Sequence, residues 1–141
     1  MNEKNLKRVL ILLSTYKGER FLDQQLDSLY AQVDVDFHIL ARDDGSGDAT
    51  LGILHDYSNK YGRMTIIEGE NVGAACSFFA LIKYAIEELP CYDYYAFCDQ
   101  DDVWLEDKLV SAVESLKHHS KEPSLYFSQT QLVDENLREL S

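Results

Sequence analysis

Basic residues are in short supply. Lys and Arg number 13 against 25 Asp and Glu, for a formal net charge of −12 and a pI near 4.6. No stripe of Lys and Arg is available to neutralise phosphates, which argues against nucleic acid as a partner. Cysteine is sparse as well: Cys76, Cys91 and Cys98 form an odd set without a C-x-x-C pair. That excludes a disulfide framework and zinc-type spacing, and each thiol reads as a small reduced core residue. With two prolines and seven glycines the chain has no Pro/Gly/Ser linker, and it shows no internal repeat or low-complexity tract. Residues 1–141 are therefore expected to form a single domain. Long apolar runs are missing too. Val9–Leu13 is five apolar residues after a mostly polar start, a strand's length and too short for a signal peptide or a membrane span. The expected location is cytoplasmic, with the inner face of the membrane left open for a larger protein that carries this chain.

What is present is enough apolar material for a real core. The apolar fraction is 45%, with nine Tyr, six Phe and one Trp, in a chain long enough to bury them. The continuous run Val9–Leu13 predicts a strand covered on both faces. Leu22, Leu26, Leu29 and Val33 recur at helical spacing after Gly18. Phe37–Ala41 predicts a second strand, and Leu51, Leu54, Tyr57 and Tyr61 a second helix capped by Ser46 or Asp48. Met64–Ile67, the helix face Phe78, Leu81, Ile82, Ala85 and Leu89, the strand Tyr94–Cys98 and a helix from Leu105 to about His119 follow. Leu125–Ser128 is expected to open a fifth strand. This alternation predicts an α/β fold: a mostly parallel sheet with helices on both faces.

Ligands of such sheets bind beyond the carboxyl ends of the strands. Every polar cluster in this chain falls there: Ser14-Thr15-Tyr16, Asp43-Asp44-Gly45-Ser46, Asn71 with Gly73, and Asp99-Gln100-Asp101-Asp102. One cluster would be ordinary loop polarity, but four on one rim point to a site. The last packs three carboxylates into four residues after an apolar strand. Crowded carboxylates repel, and a hard cation such as Mg²⁺ or Mn²⁺, which prefers oxygen ligands, relieves the repulsion and can hold a diphosphate. Asp43 or Asp44 suits the imide N–H of a uracil or thymine base, although Asp-Gly-Ser also reads as a turn with a helix cap. Thr15 and Tyr16 either end a strand or flank a base with their backbone groups. Glu19 is explained by the positive end of the following helix. Trp104 is read as core packing, with a sugar-facing role left open by its place beside the acidic loop. His118 and His119 lie at a helix end and lack a metal partner.

The order Leu13-Ser14-Thr15-Tyr16, Glu19, Leu22, then Asp43-Asp44-Gly45-Ser46-x-Asp48-x-Thr50, Asn71-x-Gly73 and Asp99-x-Asp101-Asp102 resembles family 2 glycosyltransferases of the GT-A fold. Phe97-Cys98-Asp99-Gln100-Asp101-Asp102-Val103-Trp104 is similar to the bacterial rhamnosyltransferase-type subgroup. The resemblance covers about residues 8–135. It implies a nucleotide-diphospho-sugar donor, UDP- or dTDP-linked, Mn²⁺ or Mg²⁺ as cofactor, and a glycan or lipid-linked acceptor in cell-surface polysaccharide synthesis. By the resemblance Thr15, Tyr16, Glu19, Asn71 and Gly73 line the nucleotide pocket, and Asp43 or Asp44 meets the base. Asp99 faces the ribose or the metal, Asp101 ligates the metal, and Asp102 and Trp104 lie near the sugar.

Two departures stand out. Ala74-Ala75-Cys76-Ser77-Phe78-Phe79 replaces the basic Ala-Arg-Asn segment usual after Asn-x-Gly. Inverting members carry their catalytic carboxylate well downstream of D-x-D, and here only about 40 residues follow Asp101. Asp134 and Glu135 are candidates by chemistry alone. The chain is thus expected to be the donor-binding half, with the acceptor half and the base missing. The runner-up is a sugar-nucleotide-binding module without turnover. A haloacid-dehalogenase-type phosphatase is a poor fit, since its D-x-D typically sits on the first strand. Peripheral membrane association of a longer protein, and self-association through an exposed strand edge, stay open.

Overall fold

The structure, a computed structural model, describes residues 5–140. Four strands, β1 (Arg8–Thr15), β2 (Asp36–Asp43), β3 (Met64–Glu68) and β4 (Tyr94–Asp99), form one sheet in the order β3-β2-β1-β4. Every neighbouring pair is parallel. Helices α1 (Leu22–Tyr30), α2 (Thr50–Tyr61) and α3 (Ala74–Glu88) connect them in turn. Helix α4 (Lys108–Leu116) follows β4 and ends in a 3₁₀ turn at Lys117–His119.

The burial of β1 explains its sequence. It lies between β2 and β4, so both of its faces need covering, and Val9–Leu13 are all buried. Side chains alternate across a strand. Val9, Ile11 and Leu13 face a core completed by Leu22, Leu26 and Leu29 of α1, Leu54 of α2, and Leu109 and Val113 of α4. Leu10 and Leu12 face the other way, joining Leu40 of β2 and Leu81 and Ala85 of α3. Each fully buried leucine contributes roughly 1.5–3 kcal/mol relative to exposure. Helices thus cover both faces, as the alternation predicts, but unequally. Among the described residues helix α3 works alone on its side, and Phe79, Ile86, Tyr95 and Phe97 stay exposed there.

Three expectations need correction. Helix α1 stops at Tyr30, so Val33 lies outside it and is 41% exposed; its N–H turns instead to the Glu106 carbonyl at 3.0 Å. Leu125–Ser128 forms no strand. A strand exists only through its ladder, and no ladder among the described residues reaches the outer edge of β4. Beyond residue 120 the sole pairing among them is an isolated antiparallel bridge, Val133 with Glu139. Of the cysteines, only Cys98 is a core residue; Cys76 and Cys91 are exposed. The N-cap position of α2 is Ala49; Asp48 just before it supplies an oxygen to the helix start, its Oδ1 accepting from the Thr50 N–H at 3.0 Å, while Ser46 serves another loop. No helix of the described residues is long and apolar enough to cross a membrane.

Candidate donor site

Because every strand is parallel, all four carboxyl ends share one rim. The chain builds outward from β1 through β2 to β3, then returns to the other side of β1 for β4. The order therefore reverses between β1 and β4, and the crevice outside that reversal is where such sheets bind ligands. Register places Ser14 beside Asp99 and Thr15 beside Asp43.

At the end of β2 both aspartates are buried and spoken for. Asp43 Oδ1 accepts from Thr15 Oγ1 at 3.0 Å and from Ser46 Oγ at 2.7 Å, and its Oδ2 accepts from the Ser46 N–H at 2.9 Å. Asp44 pairs with Arg42 Nη1 at 2.5 Å and takes the N–H groups of Val72 and Gly73 at 3.0 Å each. Burial pushes the Asp44 carboxyl upward, but these three donors outweigh it and hold its pKa below the usual carboxylate value. Gly73 precedes α3 with φ of 86°, a left-handed conformation that glycine adopts freely, and its N–H is one of the two backbone donors that Asp44 receives. Gly45, with φ of 81°, approaches the loop after β3 closely: an added Cβ would meet the Asn71 backbone N at 3.0 Å. Gly45 thus makes room for the Asn71 backbone. The Asn71 side chain itself is exposed.

The loop after β1 is tied down by three successive N–H groups. Tyr16 N–H donates to Gln100 Oε1 at 2.7 Å, Lys17 N–H to Ser46 Oγ at 2.8 Å, and Gly18 N–H to Thr50 Oγ1 at 2.8 Å. Gln100 also donates through Nε2 to the Tyr16 carbonyl at 2.8 Å. The Tyr16 backbone is thus engaged within the protein, and what it presents to the rim is its half-exposed ring, with Lys17 Nζ 5.2 Å from the ring centre. Thr15 is buried and spends its hydroxyl on Asp43. Glu19 Oε2 accepts from the Ala49 N–H at 2.9 Å, at the start of α2. Its partner is a helix N-terminus, as the macrodipole argument suggests, but of α2 rather than α1.

The loop after β4 is the opposite case. Asp99, Asp101 and Asp102 are exposed, and among the described residues no hydrogen bond reaches their carboxylates. Partial burial, then the charges of Asp101 and Asp99, raise the pKa of Asp102, with Lys108 opposing. Beneath the loop, fully buried Gln25 donates to the Asp99 carbonyl. Cys98, buried beside these acids, has its thiol pushed well up by burial and by their charge. Trp104 is buried in the core with Lys108 Nζ 5.3 Å from its ring, and packing accounts for its position. A cavity of about 460 Å³ lies between α3 and the end of β4, walled by Phe78, Ile82 and Phe97 and including Asp99 and Asp102.

No group of three His, Cys, Asp or Glu among the described residues is gathered as a ready metal cage. The donor chemistry nevertheless fits a hard cation held with a diphosphate. Mg²⁺ typically takes one or two carboxylates together with substrate phosphates rather than a complete protein cage. Asp134 and Glu135 are engaged elsewhere. Asp134 Oδ1 accepts from the Asn136 and Arg138 N–H groups in a turn, and Glu135 pairs with Arg20 at the surface at 2.5 Å.

The sequence reading passed over three residues that organise the rim. Arg42 is buried, and besides Asp44 its Nη1 donates to Ser77 Oγ at 3.0 Å and its Nη2 to the Glu70 carbonyl at 3.1 Å. The signal was an arginine inside an apolar strand two positions before an aspartate, hence on the same side. Gln25, on the buried face of α1, was the second. Gln100, the middle residue of the acidic motif, was the third; nothing in its local pattern marks it.

Comparison with known proteins identifies the family and the fold. The description of glycosyl transferase family 2 matches residues 10–134. The chain is 39% identical over 107 residues to the dTDP-rhamnosyl transferase RfbG of Shigella flexneri, covering 74% of this chain and 36% of that protein. It is 29% identical over 117 residues to the succinoglycan biosynthesis protein ExoW of Rhizobium meliloti, covering 79% and 34%. Among solved structures, S. aureus TarS in complex with UDP-GlcNAc superposes with a TM-score of 0.68 at 24% identity, over 79% of this chain and 32% of that one. The mannosyltransferase PcManGT of Pyrobaculum calidifontis, in complex with GDP-Man and Mn²⁺, gives 0.70 at 20% identity, over 83% and 34%. The chain spans about a third of the length of these proteins. Its parallel four-stranded sheet is that of the GT-A fold, and the chain belongs to glycosyl transferase family 2.

Proposed function

We propose that this chain is the donor-binding portion of a glycosyltransferase. It would take a UDP- or dTDP-linked sugar and serve a glycan or lipid-linked acceptor in bacterial cell-surface polysaccharide synthesis. The observation that carries the reading is the β1/β4 crevice. Loops from all four strands converge on this rim through hydrogen bonds, and three exposed carboxylates that receive none among the described residues stand on its β4 side. The dTDP-rhamnosyl transferase named among the relatives supports a dTDP-linked donor, and the Mn²⁺ in PcManGT supports a divalent cation.

In this reading the Tyr16 ring offers a face to the base. Each aspartate keeps an Oδ2 that accepts a single bond, but Asp44 is neutralised by Arg42 whereas no cation pairs with Asp43 among the described residues, so Asp43 would be the one to meet an imide N–H. Asp99 and Asp101 would hold Mn²⁺ or Mg²⁺, and Asp102 would stand beside the sugar or support Asp101. When bound, the cation supplies Lewis-acid neutralisation of the leaving diphosphate. With a net charge of −12, the protein has little cationic charge of its own for that task, and Arg42 is spent on Asp44. The chain spans about a third of the length of its relatives, and in this reading donor binding without efficient transfer is expected of the chain alone.

The test is a thermal-shift titration with UDP, dTDP, GDP and ADP, each with Mn²⁺ and again with excess EDTA. At about 100 times Kd a ligand stabilises the fold by ~2.7 kcal/mol, several degrees in Tm for a chain of this size. A metal-dependent rise with UDP or dTDP that disappears in Asp101→Ala is expected. No rise with any nucleotide would overturn the reading.

A further inference from the structure

The crevice where strand order reverses is spanned by one side chain. Gln100 leaves the acidic loop after β4 and pairs with the backbone of Tyr16 in the loop after β1, accepting its N–H at 2.7 Å and donating to its carbonyl at 2.8 Å. This reciprocal pair uses both ends of the amide. The next two N–H groups of the β1 loop, at Lys17 and Gly18, go to Ser46 and Thr50, in or beside α2. Gln100 is thus the side chain that joins Tyr16 to the acid-bearing loop. A second glutamine, Gln25, holds the same loop from below through the Asp99 carbonyl.

The space Gln100 occupies is reserved for it. A Cβ on Gly18 would stand 2.5 Å from Gln100 Oε1 and 2.9 Å from its Cδ, closer than real Cβ contacts come. Gly18 is not in the left-handed region, so its backbone tolerates alanine. A methyl group there would displace the flexible end of Gln100 and leave Gln100 itself unaltered.

We propose that Gln100 is a positioning residue that couples the two halves of the donor site. It holds the Tyr16 loop, where the nucleoside would stack, in fixed register with Asp99, Asp101 and Asp102, where the cation and diphosphate would sit. This rests on the donor-site reading above. The chemical reason is geometric. A nucleoside diphosphate is one covalently connected ligand that would touch both loops at once, so a bridge between them makes cation and nucleotide binding reinforce each other. Linkage requires the reinforcement to be reciprocal.

Two readouts on the full chain test it. Hydrogen exchange at the Tyr16 amide needs no ligand: it should speed up in Gln100→Ala and equally in Gly18→Ala, with little change in Tm. The second readout is the factor by which Mn²⁺ tightens binding of UDP or dTDP, measured by titration calorimetry with Mn²⁺ and with EDTA. Both single variants should lower that factor about fivefold or more, the lower end of ordinary coupling strengths, and leave nucleotide affinity in EDTA nearly unchanged. The double variant should be no worse than Gln100→Ala, because Gly18→Ala acts through Gln100. Unchanged Tyr16 exchange in Gln100→Ala would overturn the proposal whatever the ligand. So would a wild-type Mn²⁺ effect that Gln100→Ala retains, or nucleotide affinity that falls equally with and without Mn²⁺. A wild-type chain that binds none of these nucleotides would overturn the donor reading and the coupling together.

Discussion

Asp43 and Asp44 at the end of β2, and Asp99, Asp101 and Asp102 at the end of β4, are the same residue type on the same rim of one sheet. Their surroundings are opposite. The β2 pair is buried and receives six hydrogen bonds from Thr15, Ser46, Arg42, Val72 and Gly73. The β4 group is exposed, its carboxylates receive no hydrogen bond among the described residues, and partial burial, then the charges of Asp101 and Asp99, raise the Asp102 pKa. The first pair is architecture: it fastens the loops after β1, β2 and β3 to one another. The second is unspent charge, held in place through its backbone by Gln25 and through Gln100. In the donor-site reading proposed above, the β2 pair would hold the rim, with Asp43 also reaching the base, and the β4 group would meet the cation.

The comparison breaks most readily at Asp44. Asp44→Ala leaves Arg42 buried without its counter-charge and should cost about 3–5 kcal/mol in urea unfolding. Arg42→Ala should cost a similar amount, and the double variant less than the two together. A loss under about 1 kcal/mol in either single variant would show that the ion pair is not what fastens the loops. Asp43→Ala comes next. It removes an acceptor of three bonds and should cost about 2–3 kcal/mol by the same measurement.

Acid should expose the same contrast. The Asp44 pKa is lowered on folding from a model-compound value of 3.8, so the unfolded chain takes up its proton first. The stabilisation from Asp44 is therefore complete above that value and is lost as pH falls through the lower folded value. Urea midpoints followed down through the carboxylate range should fall less steeply in Asp44→Asn than in the wild type. An identical acid limb would contradict the assignment. The smallest effect is expected at Glu19, an exposed acceptor at the start of α2, where Glu19→Ala should cost about 1 kcal/mol.

The sheet was legible because β1 is covered on both faces and has to be apolar throughout, and because parallel strands alternate with helices. The end of the chain was not. Leu125–Ser128 has a strand's composition, but composition supplies no partner, and a strand without a ladder does not form. The rim was legible as a place, since acids and glycines crowd at four strand ends. The division of labour on it was not. Asp43-Asp44 and Asp101-Asp102 read alike as dipeptides, and what separates them is Arg42, Ser46 and two backbone N–H groups whose proximity only the folded chain creates. Gln100 was hidden for the same reason, because its partner is backbone 84 residues away.

The most direct test of this division is urea unfolding of Asp99→Asn/Asp101→Asn/Asp102→Asn in EDTA, set beside Asp44→Ala. With no hydrogen bond to lose among the described residues and mutual repulsion relieved, the triple variant should unfold at the wild-type midpoint or slightly above it, while Asp44→Ala falls well below. A triple variant destabilised as much as Asp44→Ala would mean that the β4 acids also hold the fold together, and the account of them as charge kept free for a ligand would be wrong.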